Sequence, residues 1–451
     1  MVRLSRLRGF KDLVFDAVED TTNLVERTHG AVARRVLRRY APIEPIATPA
    51  AAVVEVEQGI AAGVYATIRG VNRSIQKLTE LGTAAAEAAL PAGEPPVLAA
   101  PLRSDAVGSV AWLVDHAEGV VNGVMGDRLS RRGNALDLGM TLRHDGAPLP
   151  LERDALEREL GDATSKVCVF VHGLGCTEWS WSLSAERHHG DPRVTYGMLL
   201  NRDLGYTPLY VRYNSGRHVS ENGRLLSELL EGLYSVYPRK LEQIALIGHS
   251  MGGLVVRSAA HYGRREERAW SKQLRHVFCL ASPHHGAPLE TGVHLLSRVL
   301  AAFDTAGTQV PAEILEARSA GIKDLRWGYT LDEEWASEDS TLLFADNRQA
   351  VSLLDDVGYY YLAATLVKDP AHPLGSLLGD LLVRVASASG DCPEPTRRIQ
   401  FRSGEILRGL HHFHLANHPE VYAIIRRCLE AEAEGASASA LVQCLEEQAD
   451  G

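Results

Sequence analysis

The Gly-His-Ser-Met-Gly pentapeptide at residues 248–252 constrains the fold of this chain more than any other segment. It follows an apolar run at 243–247 and precedes a helix-like run at 253–260. The glycines on either side of Ser250 indicate a turn between a strand and a helix that is too tight for larger side chains. Such a turn presents the serine hydroxyl at the N-terminus of a helix, where a developing anion is stabilised. Ser250 is therefore the candidate nucleophile.

Length and composition narrow the class of protein. The chain has 451 residues and a net charge of −10. This length allows about two or three domains, or one large domain with additions. No basic region stands out, which argues against nucleic acid as a partner. The 6 cysteines are scattered without a Cys-x-x-Cys pair, so we expect no disulfide framework, no metal site and no other cofactor.

The N-terminal segment lacks the features of a targeting signal. It is basic, but charged residues interrupt the segment that follows, which is not typical of a secretory signal. No stretch approaches the about 20 apolar residues that a membrane-spanning helix needs. We therefore expect a cytoplasmic protein.

Residues 1–130 are predicted to form a helical N-terminal extension. Apolar residues recur there at spacings of three and four in three stretches that prolines separate. Arg3, Arg6, Arg8 and Lys11 on the first helix suggest peripheral contact with a membrane surface. The alternative is packing on the body of the protein or on a second copy, because apolar stripes are first of all packing faces. The sequence leaves the oligomeric state open.

The apolar pattern changes at residue 136. Alternation over 136–143, followed by Asp145-Gly146, predicts a strand and a hairpin turn. Further strands, separated by helical patterns, are predicted at 167–171, 207–213, 243–247, 275–281, 359–367 and near 397–402. This alternation predicts an α/β fold with a mostly parallel sheet and helices on both faces. We assign 131–435 to this domain, with a cap insertion at about 286–358, and 436–451 to a C-terminal helix end and tail.

Acyl transfer by a serine also needs a base. The histidine-rich segment 409–418 precedes the last amphipathic run, and a histidine in such a loop can reach the serine. We choose His412, with His411 and His414 as competitors. His414 and His418 are also spaced like a pair of metal ligands, but no convincing ligand set completes such a site.

The acid that orients the base is expected between the serine and the histidine, after a late strand. Asp380 is our choice, because it follows the predicted strand at 359–367 through a loop that contains prolines and a glycine. Asp369 is closer to the end of that strand and is the main rival, and Asp391 is the third candidate. Loop aspartates more often cap helices or form turns.

Two backbone N–H groups are expected to bind the oxyanion. One belongs to Met251, the residue after the nucleophile, and the other to Leu174 in the loop after an earlier strand. That loop reads His-Gly-Leu-Gly from His172, and its glycines let the backbone approach the reacting carbonyl closely.

Four residues are predicted to contact the substrate: His172, Gly173, His249 and Trp179. Trp179, together with Trp181, comes just after the oxyanion loop and is suited either to lining an acyl pocket or to core packing. An apolar roof formed by the cap insertion would fit an apolar ester better than a charged metabolite.

These motifs resemble the lipase-like branch of the α/β-hydrolase superfamily, which includes bacterial triacylglycerol lipases and GPI inositol-deacylase-like proteins. The matching segments are 170–174, 247–255, 281–288, 379–383 and 412–415. The order serine, aspartate, histidine is the order of α/β-hydrolases. The resemblance covers about residues 136 to 430 and implies the α/β-hydrolase fold. The acid motif of the family usually reads Gly-Asp-Gly-x-Val-Pro, from which Leu381 and Arg384 depart.

The resemblance implies a serine hydrolase that cleaves carboxylic esters, in particular apolar or lipid-like esters, through an acyl-enzyme. In that mechanism His412 takes the proton from Ser250, and Asp380 orients the imidazole. An acyltransferase with the same residues is one alternative, because only the acceptor differs. A hydrolase fold that docks on membranes or partners without catalysis is another, and the complete set of catalytic residue types argues against it.

Overall fold

The computed structural model describes residues 110–131, 133–134, 136–287, 319–336, 347–367, 379–380 and 382–433. The helices predicted before residue 110, much of the predicted cap, Asp369 and the predicted tail lie outside these residues. The predicted domain boundaries, membrane contact and cytoplasmic location remain predictions. Among the described helices, none is both long and apolar enough to span a bilayer.

The described strands form one sheet in the order β2-β1-β4-β3-β5-β6-β7-β8. They are β1 (Met140–His144), β2 (Ala147–Pro148), β3 (Lys166–Val171), β4 (Thr207–Tyr213), β5 (Gln243–His249), β6 (Leu274–Leu280), β7 (Gly358–Thr365) and β8 (Ser403–Arg408). Strands β3 to β8 pair in parallel, whereas β1 pairs antiparallel with both β2 and β4. The mostly parallel sheet with helices on both faces is confirmed, and this is the α/β-hydrolase arrangement.

Helices connect these strands. In the described part of the chain the α-helices are α1 (Val110–Arg131), α2 (Arg153–Glu159), α3 (Ala185–His189), α4 (Tyr196–Leu204), α5 (Val219–Val236), α6 (Met251–Arg265), α7 (Ala320–Trp327), α8 (Asp332–Trp335), α9 (Val385–Ala388) and α10 (Pro419–Ala433). Short 3-10 helices lie at Glu178–Ser182, Ala269–Gln273, Pro395–Arg397 and His412–Ala416.

Local sequence explains where several elements begin and end. Helix α4 begins after Thr195, whose hydroxyl accepts a bond from Met198 N, and it ends at Gly205. The Asp145-Gly146 turn joins β1 to β2, with His144 opposite Ala147. The predicted hairpin is therefore confirmed, although its first strand begins at Met140 and not at residue 136.

The strand predicted near 397–402 is wrong. A 3-10 helix occupies Pro395–Arg397, and the last strand, β8, begins only at Ser403. This strand lies at the edge of the sheet, and Leu407 is its one buried residue. An edge strand with so little buried surface does not have the continuous apolar run that predicts a central strand.

The core lies on both faces of the central strands. Helices α5 and α6 pack side by side over one face. On the other face, Cys168 and Phe170 from β3 join a buried cluster with Leu200 of α4 and Ile425 of α10. Burial on both faces explains why β3 and β5 are almost continuously apolar. The carboxyl ends of these strands carry the loops of the candidate site.

Helix α1 is the described part of the predicted N-terminal extension. It belongs to the same compact unit as the sheet. The Asn122 side chain donates a hydrogen bond to Leu136 O at 2.8 Å and accepts one from Leu138 N at 3.1 Å. These bonds attach α1 to the segment that leads into β1.

Candidate active site

Ser250 occupies a strained turn between β5 and α6. Its backbone has φ 56° and ψ −123°, and residues other than glycine rarely adopt positive φ. A Cβ atom on Gly248 would overlap the backbone of Gly252, and one on Gly252 would overlap the carbonyl oxygen of Val171. The two flanking glycines are therefore required by close backbone contacts, as the sequence indicates. The backbone N–H of Ser250 donates a hydrogen bond to Leu280 O at 2.8 Å, which fixes the turn on β6.

Asp380 and His412 form a buried pair. Asp380 Oδ2 lies 2.8 Å from His412 Nδ1, and both side chains are 1% exposed. The other carboxylate oxygen, Oδ1, accepts bonds from Leu382 N at 2.9 Å and Val383 N at 2.8 Å. Because two backbone donors hold Oδ1, Oδ2 is directed at the imidazole. A proton on Nδ1 then leaves Nε2 of the neutral ring with a free electron pair, as a general base requires.

The nucleophile segment and the histidine loop are joined through His249. Its Nε2 donates a hydrogen bond to the carbonyl oxygen of His412 at 3.0 Å. Ser250 Oγ and His412 Nε2 are both shielded from solvent, and neither has a hydrogen-bond partner among the described residues. In enzymes without substrate, hydrogen bonds between nucleophile and base are often long and shorten only when substrate binds. Neither of these two atoms is therefore engaged in a hydrogen bond with another described residue.

Burial keeps the neighbouring histidines neutral. It lowers the pKa of His249 to about 3, and the nearby His412 contributes in the same direction. Burial also lowers the pKa of His172 to about 4. The Nδ1 of His172 lies 2.9 Å from Gly173 O, and its ring stacks on Tyr213. The His172 ring is thus packed inside the protein, against Tyr213 at the end of β4.

The segment 172–177, here called the oxyanion loop, runs beside the nucleophile. Strands β3 and β5 are parallel neighbours with Val171 opposite Gly248, so both strands end at the same edge of the sheet. A Cβ atom on Gly173 would lie only 3.1 Å from Ser250 Cβ. The backbone that carries the Leu174 N–H is therefore in contact with the nucleophile turn. Met251 begins α6, and its N–H is one of the donors that a helix leaves unpaired at its first turn.

The two tryptophans predicted as candidates for the acyl pocket have structural contacts. Trp179 Nε1 donates a hydrogen bond to Asp115 of α1 at 2.8 Å, and its ring packs on Gly146 in the β1–β2 hairpin. Trp181 is fully buried, with its ring 5.0 Å from that of Phe170. The contacts of Trp181 favour the core-packing interpretation. Those of Trp179 tie it to α1 and the hairpin.

The competing acid and bases have other partners. Asp391 forms an ion pair with Arg398 at 3.1 Å, and its side chain is 64% exposed. His411 and His414 stack on each other with ring centroids 3.5 Å apart. Burial, together with the neighbouring histidines, lowers the pKa of His414 to about 4.

The described residues contain no group of three or more side chains placed to hold a metal.

Sequence reasoning missed the residues that support the oxyanion loop. Ser215 Oγ accepts a hydrogen bond from Gly175 N at 2.9 Å. The backbone N–H of Gly321 in α7 donates to Gly216 O at 3.1 Å, so the described part of the predicted cap contacts the loop after β4. These contacts join segments that are far apart in the chain, so no local sequence pattern predicts them. The one sequence feature that pointed to this region is the position of residues 214–216 directly after β4.

A sequence profile of the PGAP1-like alpha/beta domain matches residues 210–356. The match covers less than half of the chain and contains Ser250, whereas Asp380 and His412 lie beyond it. It confirms the resemblance to α/β-hydrolases and supports ester hydrolysis at the level of the family. Comparison with curated protein sequences finds no match.

Comparison with solved structures gives matches at low sequence identity. The mature lipase BlEst2 of Bacillus licheniformis is 19% identical, with 58% of this chain and 91% of that chain covered and a TM-score of 0.36. A lipase-esterase related protein of Clostridium acetobutylicum is 14% identical, with coverage of 60% and 95% and a TM-score of 0.34. Phospholipase PlaB of Legionella pneumophila is 17% identical, with coverage of 58% and 59% and a TM-score of 0.37.

Proposed function

We propose that this chain, which carries an α/β-hydrolase domain with a PGAP1-like segment, is a serine hydrolase that cleaves apolar carboxylic esters. The proposal rests on the 2.8 Å contact between Asp380 Oδ2 and His412 Nδ1. This contact is buried, and it lies next to the strained turn at Ser250. A buried carboxylate paired with an imidazole next to a constrained serine is suited to acyl transfer.

In the proposed acylation step, His412 Nε2 takes the proton of the Ser250 hydroxyl as Oγ attacks the ester carbonyl. Negative charge then develops on the carbonyl oxygen. The N–H groups of Leu174 and Met251 bind this oxyanion, and the N-terminus of α6 adds a favourable field. The protonated His412 gives its proton to the leaving alcohol, and an acyl-serine remains.

In the proposed deacylation step, water enters where the alcohol has left. His412 removes a proton from this water as it attacks the acyl carbonyl. The protonated His412 then returns this proton to Ser250 Oγ as the acyl–serine bond breaks, which releases the acid and restores the free serine. Throughout both steps Asp380 holds the imidazole in one orientation and stabilises its protonated form. Because Asp380 Oδ1 is fixed by Leu382 N and Val383 N, the carboxylate does not need to reorganise when the charge on the ring changes.

The preference for apolar esters is supported by the residues that flank the proposed oxyanion site. Leu174 and Met251 are both apolar and buried. The neighbouring histidines, His172 and His249, are held neutral by burial. A charged acyl group would lose its hydration in such surroundings without gaining a counter-charge from these residues.

The test compares the parent protein with Ser250→Ala on p-nitrophenyl esters from acetate to palmitate. The proposal expects kcat to fall by about four orders of magnitude or more in the variant. Ser235→Ala, at an exposed site in the last turn of α5, is the matched control and should behave like the parent. A Ser250→Ala variant as active as the parent, or a parent inactive on the whole panel, would contradict the proposal. Product analysis with added alcohol separates hydrolysis from acyl transfer.

A further inference from the structure

We propose that helix α1 is a positioning element of the oxyanion loop, and that Gly119 and Asp115 are the residues through which it acts. The inference rests on the proposed function, because it concerns the N–H donors for the oxyanion. It adds that residues before the α/β sheet set the geometry of the donor loop.

The first observation is the direct contact of the α1 backbone with the loop. A Cβ atom on Gly119 would lie 2.9 Å from Cys176 O and 3.1 Å from Gly175 O. It would also lie 2.9 Å from Thr177 Cγ2. Two of these three atoms are backbone carbonyl oxygens, which cannot turn aside as the end of a side chain can. Gly119 therefore lets the helix lie directly on the carbonyl groups of the loop.

These carbonyl groups are part of the turn that presents Leu174. The N–H of Cys176 donates a hydrogen bond to Gly173 O at 3.2 Å, which closes a turn around Leu174 and Gly175. A displacement of the carbonyl groups at 175 and 176 therefore changes the direction of the Leu174 N–H. Stabilisation of an oxyanion depends on donors placed within a few tenths of an ångström, so such a displacement acts on the transition state.

A second contact of α1 holds the loop that neighbours the oxyanion loop. Asn214 Nδ2 donates a hydrogen bond to Gly126 O at 2.9 Å. The next residue, Ser215, accepts the bond from Gly175 N. Helix α1 thus supports the oxyanion loop directly through Gly119 and indirectly through the loop after β4.

The third observation is a largely buried charge network that fixes α1 at the far end of the oxyanion loop. The Asp115 carboxylate accepts bonds from Arg212 NH1 at 2.7 Å and NH2 at 2.6 Å, and a third bond from Trp179 Nε1. Arg212 also donates to Glu178 at 2.6 Å, and Arg143 donates to Glu178 at 3.1 Å. Glu178 and Trp179 directly follow the oxyanion loop in the chain.

The protonation state of Asp115 is suited to this role. Burial raises the pKa of the Asp115 carboxyl, but the hydrogen bonds and charge of Arg212 outweigh that effect, and the pKa is lowered overall. Within this hydrogen-bonded network, the carboxylates of Asp115 and Glu178 pair with the guanidinium groups of Arg143 and Arg212. Removing one carboxylate from such a buried group leaves an arginine insufficiently paired, and the neighbouring segment then relaxes.

The test measures kcat, KM and the thermal unfolding midpoint of Gly119→Ala and Asp115→Asn with a p-nitrophenyl ester. We expect kcat to fall by about 10- to 100-fold while KM changes by less than about twofold, because misplaced donors weaken transition-state binding more than substrate binding. Gly232→Ala in α5 is the matched control, since its Cβ would meet only the end of the Leu151 side chain. This variant should keep the parent kcat.

The outcomes separate this inference from the proposed function. If the parent activity depends on Ser250 but both α1 variants keep the parent kcat, α1 has no positioning role and the inference fails alone. A lowered unfolding midpoint without a change in kcat also overturns it. If Gly119→Ala does not fold, Asp115→Asn decides, because this substitution preserves the size of the side chain. If Ser250→Ala is as active as the parent, the proposed function fails whatever the α1 variants do.

Discussion

Asp380 and His412 are joined by a 2.8 Å contact in which each side chain is almost completely buried. The two residues are separated by 32 positions in the chain. Asp380 follows β7 and His412 follows β8, and these two strands are parallel neighbours, so both residues lie beyond the same edge of the sheet. Two backbone N–H groups hold the other carboxylate oxygen, so the pair is directed as well as close.

Asp380→Asn should lower kcat by about four orders of magnitude, because an amide can stabilise the imidazole tautomer that has no free electron pair at Nε2. The measurement is kcat for a short p-nitrophenyl ester at several pH values. Asp391→Asn is the control, since Asp391 lies in an exposed ion pair, and it should keep the parent rate. Equal effects of the two substitutions would mean that Asp380 is not the residue that orients His412.

His412→Gln should abolish ester hydrolysis, because glutamine cannot accept and return the proton of Ser250. His414→Gln removes a histidine from the same loop, one whose ring stacks on His411. It should keep most of the activity. Initial rates of both variants, with circular dichroism to verify folding, provide the comparison. An active His412→Gln variant would require another base.

Gly252→Ala should destabilise the protein by about 3 kcal/mol or more, because the added methyl group would overlap the carbonyl oxygen of Val171 in the neighbouring strand. Gly161→Ala is a suitable control, since nothing lies within 4 Å of its Cβ position. Urea unfolding followed by circular dichroism measures both. A Gly252→Ala protein as stable as the control would contradict the prediction, because it would mean that the turn accommodates a methyl group at residue 252.

Acid should destabilise the fold through the buried histidine His276. Burial, together with nearby Arg402 and Arg275, lowers its pKa to about 3 in the folded protein, whereas the unfolded chain has a value near 6.5. The unfolded state therefore binds the proton first as the pH falls, and the stability is complete above about pH 6.5 and is lost between there and about pH 3. One such group changes the free energy of unfolding by up to about 1.4 kcal/mol per pH unit.

Urea titrations of the parent and of His276→Gln between pH 7.5 and pH 5 test this prediction. The ring of His276 stacks beside Phe278 and Tyr360 in the sheet, so the substitution leaves the candidate site unchanged. The variant should lose less stability than the parent over this pH range. Identical slopes would mean that His276 does not bind a proton more readily in the unfolded chain.

The parts of the fold that the sequence predicts correctly are those with a local cause. The turn at Ser250 follows from steric limits at two glycines, and the hairpin follows from Asp145-Gly146. Central strands such as β3 and β5 are visible because burial on both faces demands a continuous apolar run. β8 lacks such a run, since it lies at the edge of the sheet with little buried surface, and its predicted position is accordingly wrong.

The candidate site shows a different division. The sequence alone determined that a serine stands in a strand–turn–helix segment and that a histidine-rich loop precedes the last helix. The tertiary structure shows that the Asp380 carboxylate pairs with the His412 imidazole. It also shows that Trp179 contacts α1 and the hairpin, and that α1 lies on the oxyanion loop. The physical reason is that backbone turns and strands depend on neighbouring residues, whereas side-chain partners depend on how segments distant in the chain pack together.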